Sequence, residues 1–365
     1  SLASLMTVLP GLAGISLATA RLRLRRSTRR SPSGTGAASM AMEDTFRSYG
    51  GARCWLPCPV MVLDESAKNM LDMLAAAAGP TLESQSPVGA RERYAMLSLL
   101  NGEQGAVATL EQREIGGVPA YVATPHGEGP FPVFVWMHGG GWTVGAASEA
   151  LATVTRIAVK ANCIAISLDY RLAPEHTAPA AYDDCVAAVG WLLQHADELG
   201  GNAARVAVGG ESAGGNLAAL LAQRFGAQLC AQVLVCPSTD FAVEYPSRLE
   251  NATGYLLTKA TMDWFTHQYL DGSGLALDDP RLSPMAAPDA ALAGSAPALV
   301  ITTGFDPLRD EGEAYAARLS GAGVPLVQRR FAGQVHLFFS LCGVIPEGLD
   351  AEGLAVDVLR EAFSR

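Results

Sequence analysis

Charged residues are scarce in this sequence, at 17% of 365, while 49% of the residues are hydrophobic. A disordered chain needs the opposite balance, so that class is excluded. Basic residues are fewer than acidic ones, with 26 Lys and Arg against 36 Asp and Glu. Six of the basic residues are arginines within residues 1–42, a stretch that contains no acidic residue. The remaining chain holds 20 basic and 36 acidic residues, a net charge of −16. Such a body repels phosphate backbones, so no nucleic-acid partner is expected.

Cysteine is too sparse and too scattered for a disulfide scaffold. The seven cysteines are an odd number, spread from Cys54 to Cys342. Cys54 and Cys58 are separated by three residues, but no second Cys or His pair accompanies them. We expect incidental or buried thiols there, and no metal site.

A continuous apolar run of membrane-spanning length is also lacking at the N-terminus. Residues 1–20 are largely apolar, but proline and glycine interrupt them, and the arginines at 21–30 follow the apolar run, which is the reverse of a secretory signal. Residues 1–42 are interpreted as a disordered extension or targeting segment. Upstream sequence without a role and a single membrane anchor stay open as alternatives. A cytoplasmic location is favoured, and an organellar one follows if the segment is a transit peptide.

Short apolar runs alternate with longer helical patterns after residue 105, which is typical of a mainly parallel sheet covered by helices on both faces. The sequence therefore predicts an α/β fold. Predicted strands lie at 133–137, 163–168, 205–208, 232–235, 298–302 and 325–329. Predicted helices lie at 148–161, 179–197, 213–225 and 310–321, and another begins near residue 62.

The stretch 240–285 breaks this alternation and is interpreted as an inserted lid. Its aromatic residues Trp264, Phe265 and Tyr269 either wall an apolar pocket or pack the insertion on the core, and the sequence leaves both open.

Gly210-Glu211-Ser212-Ala213-Gly214 matches the pattern G-x-S-x-G. A predicted strand ends just before it and a helical run follows it, which is the strand, sharp turn and helix of a nucleophile elbow. Glycines on both sides have a steric reason, because a Cβ would clash in so tight a turn. We therefore expect Ser212 to be a nucleophile.

A second motif, His138-Gly139-Gly140-Gly141-Trp142, directly follows the predicted strand at 133–137. Three glycines let the backbone turn its N–H groups toward a substrate oxygen, as in the oxyanion loops of lipases and esterases. The expected donors are the N–H groups of Gly140, Gly141 and Ala213. A phosphate-binding glycine loop is the competing interpretation, but the Lys-Ser/Thr ending and the G-x-G-x-x-G pattern are both missing.

A nucleophilic serine needs a base and a carboxylate that orients it. His336 lies beyond the predicted strand at 325–329 and Asp306 beyond the one at 298–302, both at the carboxyl end of the sheet, where open α/β sheets bind ligands. Asp310 and Glu311 are instead expected to serve the N-terminus of the next helix. The order Ser212, Asp306, His336 is that of an α/β-hydrolase triad.

With these motifs the chain resembles the hormone-sensitive-lipase-like branch of the α/β-hydrolases, from about residue 62 to the end. Further matching runs are Asp-Tyr-Arg-Leu-Ala-Pro-Glu at 169–175, Ala-Ala-Tyr-Asp-Asp at 180–184, Asp-Pro-Arg-Leu-Ser-Pro at 279–284 and Asp-Pro-Leu-Arg-Asp-Glu-Gly at 306–312. The resemblance implies an α/β-hydrolase fold with a helical cap, and a carboxylesterase that acts on short or medium acyl esters without a cofactor. The expected parts are an N-terminal cap at 43–104 and a catalytic domain at 105–365 with a cap insertion near 240–285.

Four further residues are expected to contact substrate: Trp142, Glu211, Leu337 and Phe338. Leu337 occupies the place after the catalytic histidine where family members usually have glycine, and Glu211 stands where many have aspartate. The run at 169–175 is expected to be structural, with its arginine holding a turn.

Two other functions stay open. One is an amidase or deacetylase with the same triad, and the other is a non-catalytic small-molecule receptor, against which retention of His336 argues. The expected partner is a small ester. A homodimer is compatible with the sequence, and a membrane contact is expected only if the N-terminal segment is an anchor.

Overall fold

The structure, a computed structural model, describes residues 61–77 and 79–365. The predictions for residues 1–42, and those for Cys54 and Cys58, lie outside these residues. Strands are β1 (Thr109–Ile115), β2 (Val118–Thr124), β3 (Phe131–Met137), β4 (Ile164–Leu168), β5 (Gly201–Glu211), β6 (Ala231–Val235), β7 (Ala298–Phe305) and β8 (Leu326–Val335). Helices are α1 (Glu65–Ala76), α2 (Pro87–Ala95), α3 (Leu151–Ala161), α4 (Ala180–His195), α5 (Ala213–Phe225), α6 (Pro246–Glu250), α7 (Lys259–Leu270), α8 (Asp289–Ala293), α9 (Arg309–Gly321) and α10 (Glu347–Ser364).

The strands form one sheet in the order β1-β2-β4-β3-β5-β6-β7-β8. β1 with β2 and β2 with β4 pair antiparallel, and every pair from β4 through β3 to β8 is parallel. Parallel neighbours need crossover connections, and the intervening helices supply them. The predicted α/β fold is confirmed.

The core lies along the central strands, because their sequences are apolar on both faces. All residues of β4 and β6 are buried, and six of the seven in β3 are. Strands covered on both faces by helices require this continuous apolar pattern. The carboxyl ends of these buried parallel strands therefore lie at one edge of the sheet.

The sequence does not predict β1 and β2, nor the helices α2, α6, α8 and α10. β1 exposes every residue but Ile115, so its sequence Thr-Leu-Glu-Gln-Arg-Glu-Ile gives no apolar alternation. Its register is set by β2, where Thr109 faces Thr124 and Ile115 faces Val118. Pairing with a partner rather than local pattern fixes such an edge strand.

The two segments expected to form a cap meet each other. Ala90 of α2 and Phe265 of α7 share a small apolar cluster with Val144, and Thr261 Oγ1 donates to Glu83 Oε2 at 3.0 Å. The boundaries at 43–104 and 240–285 stay predictions. In the part of the chain that the structure describes, no helix combines the length and the apolar character that crossing a membrane requires.

Candidate active site

Ser212 is the single residue between the last residue of β5 and the first residue of α5. Its backbone has φ +61° and ψ −119°, a combination that L-residues rarely adopt. The flanking glycines make this turn possible. A Cβ on Gly210 would lie 2.3 Å from the carbonyl carbon of Gly214, and one on Gly214 would lie 2.0 Å from the oxygen of Met137. The chain thus packs backbone against backbone beneath the serine, and its side chain is held at the carboxyl end of the sheet.

His336 and Asp306 reach the same point from two neighbouring strands. Asp306 directly follows β7, and His336 directly follows β8. His336 Nε2 lies 2.9 Å from Ser212 Oγ, and His336 Nδ1 lies 2.7 Å from Asp306 Oδ2. The structure therefore brings together the three side chains that the sequence singled out, in the connectivity of a serine-hydrolase triad.

The carboxylate of Asp306 is anchored through both oxygens. Its Oδ1 accepts the N–H of Leu308 at 2.9 Å, and Oδ2 accepts from the hydroxyl of Thr303 at 3.4 Å in addition to His336. Asn251, from the inserted segment, donates its side-chain amide to the Asp306 carbonyl at 3.1 Å. A carboxylate held this firmly can fix the orientation of the imidazole.

The surroundings of His336 raise the pKa of its imidazole. Burial alone lowers the pKa of this imidazole, but the adjacent charge of Asp306 and the hydrogen bond to it outweigh burial, so the net pKa is raised above its ordinary value. A carboxylate in this position favours the charged form of the neighbouring imidazole.

The loop after β3 carries the expected oxyanion donors. Gly140 and Gly141 have φ values of +117° and +55°, which only glycine adopts readily. Their N–H groups have no acceptor among the described residues. Ala213 is the first residue of α5, and the N–H groups of a first helical turn lack intrahelical acceptors. All three amides are available for an incoming anion.

The inserted helix α7 packs directly on this loop. A Cβ on Gly141 would lie 2.1 Å from Cγ of Phe265, so the phenyl ring occupies the space that a side chain would need. Trp142 stacks on Tyr269 at 4.6 Å between ring centroids and lies 5.3 Å from Phe241. Of the three aromatic residues of α7, Tyr269 packs in the core, Phe265 covers the glycine loop, and Trp264 packs beside Phe265 at 5.3 Å between ring centroids.

The other expected substrate contacts fall in different places. Glu211 is buried, and its Oε2 accepts from the Ser340 hydroxyl. Burial raises the pKa of Glu211 to about 7. Leu337 is buried with φ +65° and lines a cavity beside the nucleophile, whereas Phe338 is fully buried against Phe331. Substrate contact by these residues and by Trp142 stays a prediction.

A buried thiol adjoins the triad. One side-chain ligand atom each from Cys236, Asp306 and His336 lies within 4.8 Å of the others, the type of set that could hold a soft cation. However, burial raises the pKa of the Cys236 thiol well above its ordinary value, and the histidine and aspartate are already hydrogen-bonded to each other. Cys236 Sγ instead lies 3.7 Å from the Thr303 hydroxyl. The hydrogen-bonded pair of His336 and Asp306 therefore suits proton transfer better than metal binding.

Residues 169–175 pack against the loop after β3 and contact its first residue, His138. Tyr170 donates its hydroxyl to the His138 carbonyl at 2.7 Å, and the two rings stack at 4.4 Å. Arg171 forms paired hydrogen bonds with Asp184, and Glu175 pairs with Arg91 of α2. These contacts agree with the expected structural role.

Comparison with known proteins decides the family. A family model described as an alpha/beta hydrolase fold matches residues 134–340. The chain belongs to the α/β-hydrolase family. This hydrolase is 45% identical over 235 residues to the carboxylic ester hydrolase LipN of Mycobacterium tuberculosis, a match that covers 62% of each chain. It is 39% identical over 238 residues to the carboxylesterase NlhH of the same species, covering 64% of this chain and 74% of that one.

A solved structure extends the match. The ester hydrolase from the metagenome of Lake Arreo, solved with a bipyridine phosphonate derivative, is 37% identical and superposes on this hydrolase with a TM-score of 0.80. The match covers 83% of this chain and 100% of that chain. Ester hydrolysis is the reaction that all three relatives are named for.

Several residues of the hydrolase's site carried no sequence signal. Thr303, Asn251 and Ser340 belong to no recognisable motif. Tyr94 lies in α2, far from the catalytic motifs in sequence. Only the fold places them around Asp306 and Glu211. An unexplained hydroxyl or amide near a motif is too common in sequences to be a signal.

Proposed function

We propose that this hydrolase is a serine carboxylesterase that cleaves short to medium acyl esters. The observation that carries the proposal is the continuous relay from Ser212 Oγ through His336 to Asp306, with hydrogen bonds of 2.9 and 2.7 Å. A serine hydroxyl becomes nucleophilic when a base takes its proton, and His336 Nε2 lies within reach of that proton. The relatives named as ester hydrolases support the same reaction class.

In the acylation step, Ser212 Oγ bonds to the ester carbonyl carbon while its proton passes to His336 Nε2, and Asp306 stabilises the imidazolium. The developing oxyanion accepts hydrogen bonds from the N–H groups of Gly140, Gly141 and Ala213. The bond to the alcohol oxygen then breaks, and His336 gives that oxygen its proton. An acyl-enzyme remains on Ser212.

In the deacylation step, water takes the place of the alcohol. His336 accepts a proton from the water as its oxygen bonds to the acyl carbon, and the same three amides hold the oxyanion. Collapse releases the carboxylic acid and returns the proton to Ser212. No redox change occurs, so the cycle needs no further reactant.

The two proposed cap segments account for the proposed preference for short to medium acyl chains. The described part of the N-terminal cap at 43–104 and the cap insertion at 240–285 meet where Ala90 packs with Phe265. Because the Phe265 ring lies against Gly141, the roof of the site is close to the reacting atoms. A low apolar roof favours short or medium acyl chains over long ones.

The test is a series of p-nitrophenyl esters from acetyl to dodecanoyl, measured with wild type and Ser212→Ala. We expect the highest kcat/KM between acetyl and octanoyl, and a kcat lower by about 10⁴ or more in the variant, because triad members act as a unit. Ser364→Ala is the matched control, since that hydroxyl contacts only the Glu361 carbonyl on the last helix. Residual turnover above a tenth of wild type in Ser212→Ala would remove the serine from this role.

Matched p-nitroanilides in the same series separate an esterase from an amidase. The proposal requires a larger kcat/KM on each ester than on the anilide with the same acyl group. A preference for the anilides would make amide hydrolysis the principal activity.

A further inference from the structure

A cavity lies beside the triad, on the side that faces residues 94–101. Its walls come from residues 94–101, the loop after β3, the end of β5 and the turn after His336. Trp136, Leu97, Leu337 and Leu341 give it apolar walls. Neither the ester chemistry nor the oxyanion loop accounts for its polar lining.

Two polar atoms at this cavity are buried without a partner among the described residues. They are Glu211 Oε1 and His138 Nε2. The other carboxylate oxygen of Glu211 is engaged by Ser340. The other ring nitrogen of His138 lies 2.7 Å from the carbonyl oxygen of Gly139, so it must be the protonated nitrogen that donates. His138 Nε2 is then a hydrogen-bond acceptor.

Both unpartnered atoms are therefore acceptors that lack a hydrogen-bond donor. Burial lowers the pKa of His138, which keeps the ring neutral and its Nε2 lone pair free. A second carboxylate, Glu149, lines the same cavity, and no lysine or arginine does so within residues 61–77 and 79–365. The pKa of Glu149 is raised to about 7 by burial and by the charge of Asp169. A buried acceptor without a donor costs free energy, so the cavity favours any group that supplies one.

The cavity is close enough to the nucleophile for part of a bound ester to enter it. The point where a Cβ of Gly139 would stand is 3.4 Å from Ser212 Cβ, 3.5 Å from the Tyr94 hydroxyl and 3.2 Å from the Glu211 carbonyl oxygen. Tyr94 and Glu211 both line the cavity. Because Gly139 has no side chain, nothing of its own separates the cavity from the serine.

We propose that this cavity, with Glu211 and His138 as acceptors, is a specificity subsite for a hydrogen-bond-donating substituent, a hydroxyl or an ammonium, on the ester substrate. The inference rests on the proposed esterase function and names its substrate class. Relatives of the same activity need not share this preference, since Glu149, Tyr94 and Ser340 lie outside the catalytic motifs.

The experiment compares matched esters at about pH 8, where Glu211 is largely ionised. In the acyl arm, p-nitrophenyl butanoate is compared with the 3-hydroxypropanoate and 3-aminopropanoate, in which OH or NH₃⁺ replaces the terminal methyl. In the alcohol arm, propyl butanoate is compared with 2-hydroxyethyl butanoate. Each kcat/KM is divided by the rate of hydroxide-catalysed hydrolysis, which removes differences in intrinsic reactivity.

We expect a preference of tenfold or more for the donor-bearing ester in one arm, because a hydrogen bond to a buried charged acceptor is worth at least that. The arm that responds tells which half of the substrate enters the cavity, and the amino and hydroxyl esters tell whether charge adds to the preference. Glu211→Gln should reduce the preference to less than threefold, since the amide keeps an acceptor for Ser340 but turns a donor toward the substituent.

Glu361→Gln is the control, because it removes one carboxylate from an exposed site on α10 that is 69% accessible. It must keep the wild-type preference. Glu149→Gln provides a second probe that does not depend on the folding of Glu211→Gln, and it should weaken the response to the ammonium ester most.

The proposal is overturned if both arms show no preference for the donor, or if the preference survives Glu211→Gln. In either case Glu211 does not select the substrate through this cavity. Continued hydrolysis of plain butanoate esters would leave the esterase proposal intact, whereas loss of activity on every ester would contradict the esterase proposal itself.

Discussion

Replacing Asp306 by asparagine isolates the orienting role of the carboxylate. Asparagine has almost the same shape, and its oxygen can keep the 2.9 Å hydrogen bond from the Leu308 N–H. Its amide nitrogen then faces His336 Nδ1, where the carboxylate Oδ2 stood at 2.7 Å. An amide donates at that point, so Nδ1 must become the acceptor and Nε2 must carry the hydrogen. Nε2 can no longer take the proton of Ser212.

The size of the effect follows from this reversed tautomer. The same change in the triad of a serine protease lowers kcat by about 10⁴, which corresponds to about 5.5 kcal/mol of transition-state stabilisation. The pH profile should change as well. Asp306 raises the pKa of His336 against the effect of burial, and activity is lost as pH falls through that pKa, because only the neutral imidazole accepts a proton. Without the carboxylate the acid limb must move to lower pH.

The assay is kcat and kcat/KM on p-nitrophenyl butanoate from about pH 5 to about pH 9, where a histidine base titrates. Asp310→Asn is the matched control, since it is the same substitution four residues along, at a carboxylate that binds Ser247 N and Arg309. The control should stay within threefold of wild type. If Asp306→Asn keeps more than a tenth of wild-type kcat, or an unmoved acid limb, Asp306 is not the orienting group.

Three further changes test other parts of the structure. Gly140→Ala should lower kcat at least about 10²-fold in the ester assay, because the new Cβ would lie 2.2 Å from the Val144 oxygen and displace an oxyanion donor; unchanged kinetics would contradict the assignment. Glu211→Gln should raise the free energy of unfolding by about 3 kcal/mol above pH 8 and by little below pH 4, because the raised pKa of about 7 means that ionising this carboxyl destabilises the folded state. Equal effects at both pH values in urea titrations would refute that reasoning. Glu352→Ala should cost about 3 to 5 kcal/mol in the same titrations, since it leaves buried Arg156 without the carboxylate 2.8 Å away; a loss below about 1 kcal/mol would show the pair to be dispensable.

The sequence was sufficient where local pattern determines structure. The strand predicted at 232–235 is observed at Ala231–Val235, and the helix predicted at 213–225 is observed at Ala213–Phe225. The triad was predictable for the same reason, since the carboxyl ends of neighbouring parallel strands meet at one edge, and Asp306 and His336 each directly follow such an end.

It was insufficient where a distant partner determines structure. Asp310 and Glu311 lie in the first turn of α9, as the sequence predicts. Their partners carry no sequence signal: Glu311 accepts from the Thr239 N–H and pairs with Arg248, and Asp310 accepts from the Ser247 N–H. These acids hold the inserted segment to the catalytic core. A carboxylate at the start of a helix carries no mark of which partner it will find.

The cavity beside the triad had no sequence signal for a similar reason. Tyr94 and Ser340 are separated by most of the chain, and only folding places both beside Glu211. The identity of Glu211 could be noted in the sequence, but its burial and its unpartnered oxygen depend on residues from three segments.

Labelling with a fluorophosphonate tests the central claim most directly, because the reagent forms a stable bond only with a serine activated by its own base. After peptide mapping by mass spectrometry, we predict one phosphonyl group per chain, on Ser212. The label should be absent from Ser212→Ala, and it should form at least about 10² times more slowly in His336→Gln, which removes the general base. A label on another residue, or an undiminished rate without His336, would contradict the relay on which this account of the hydrolase depends.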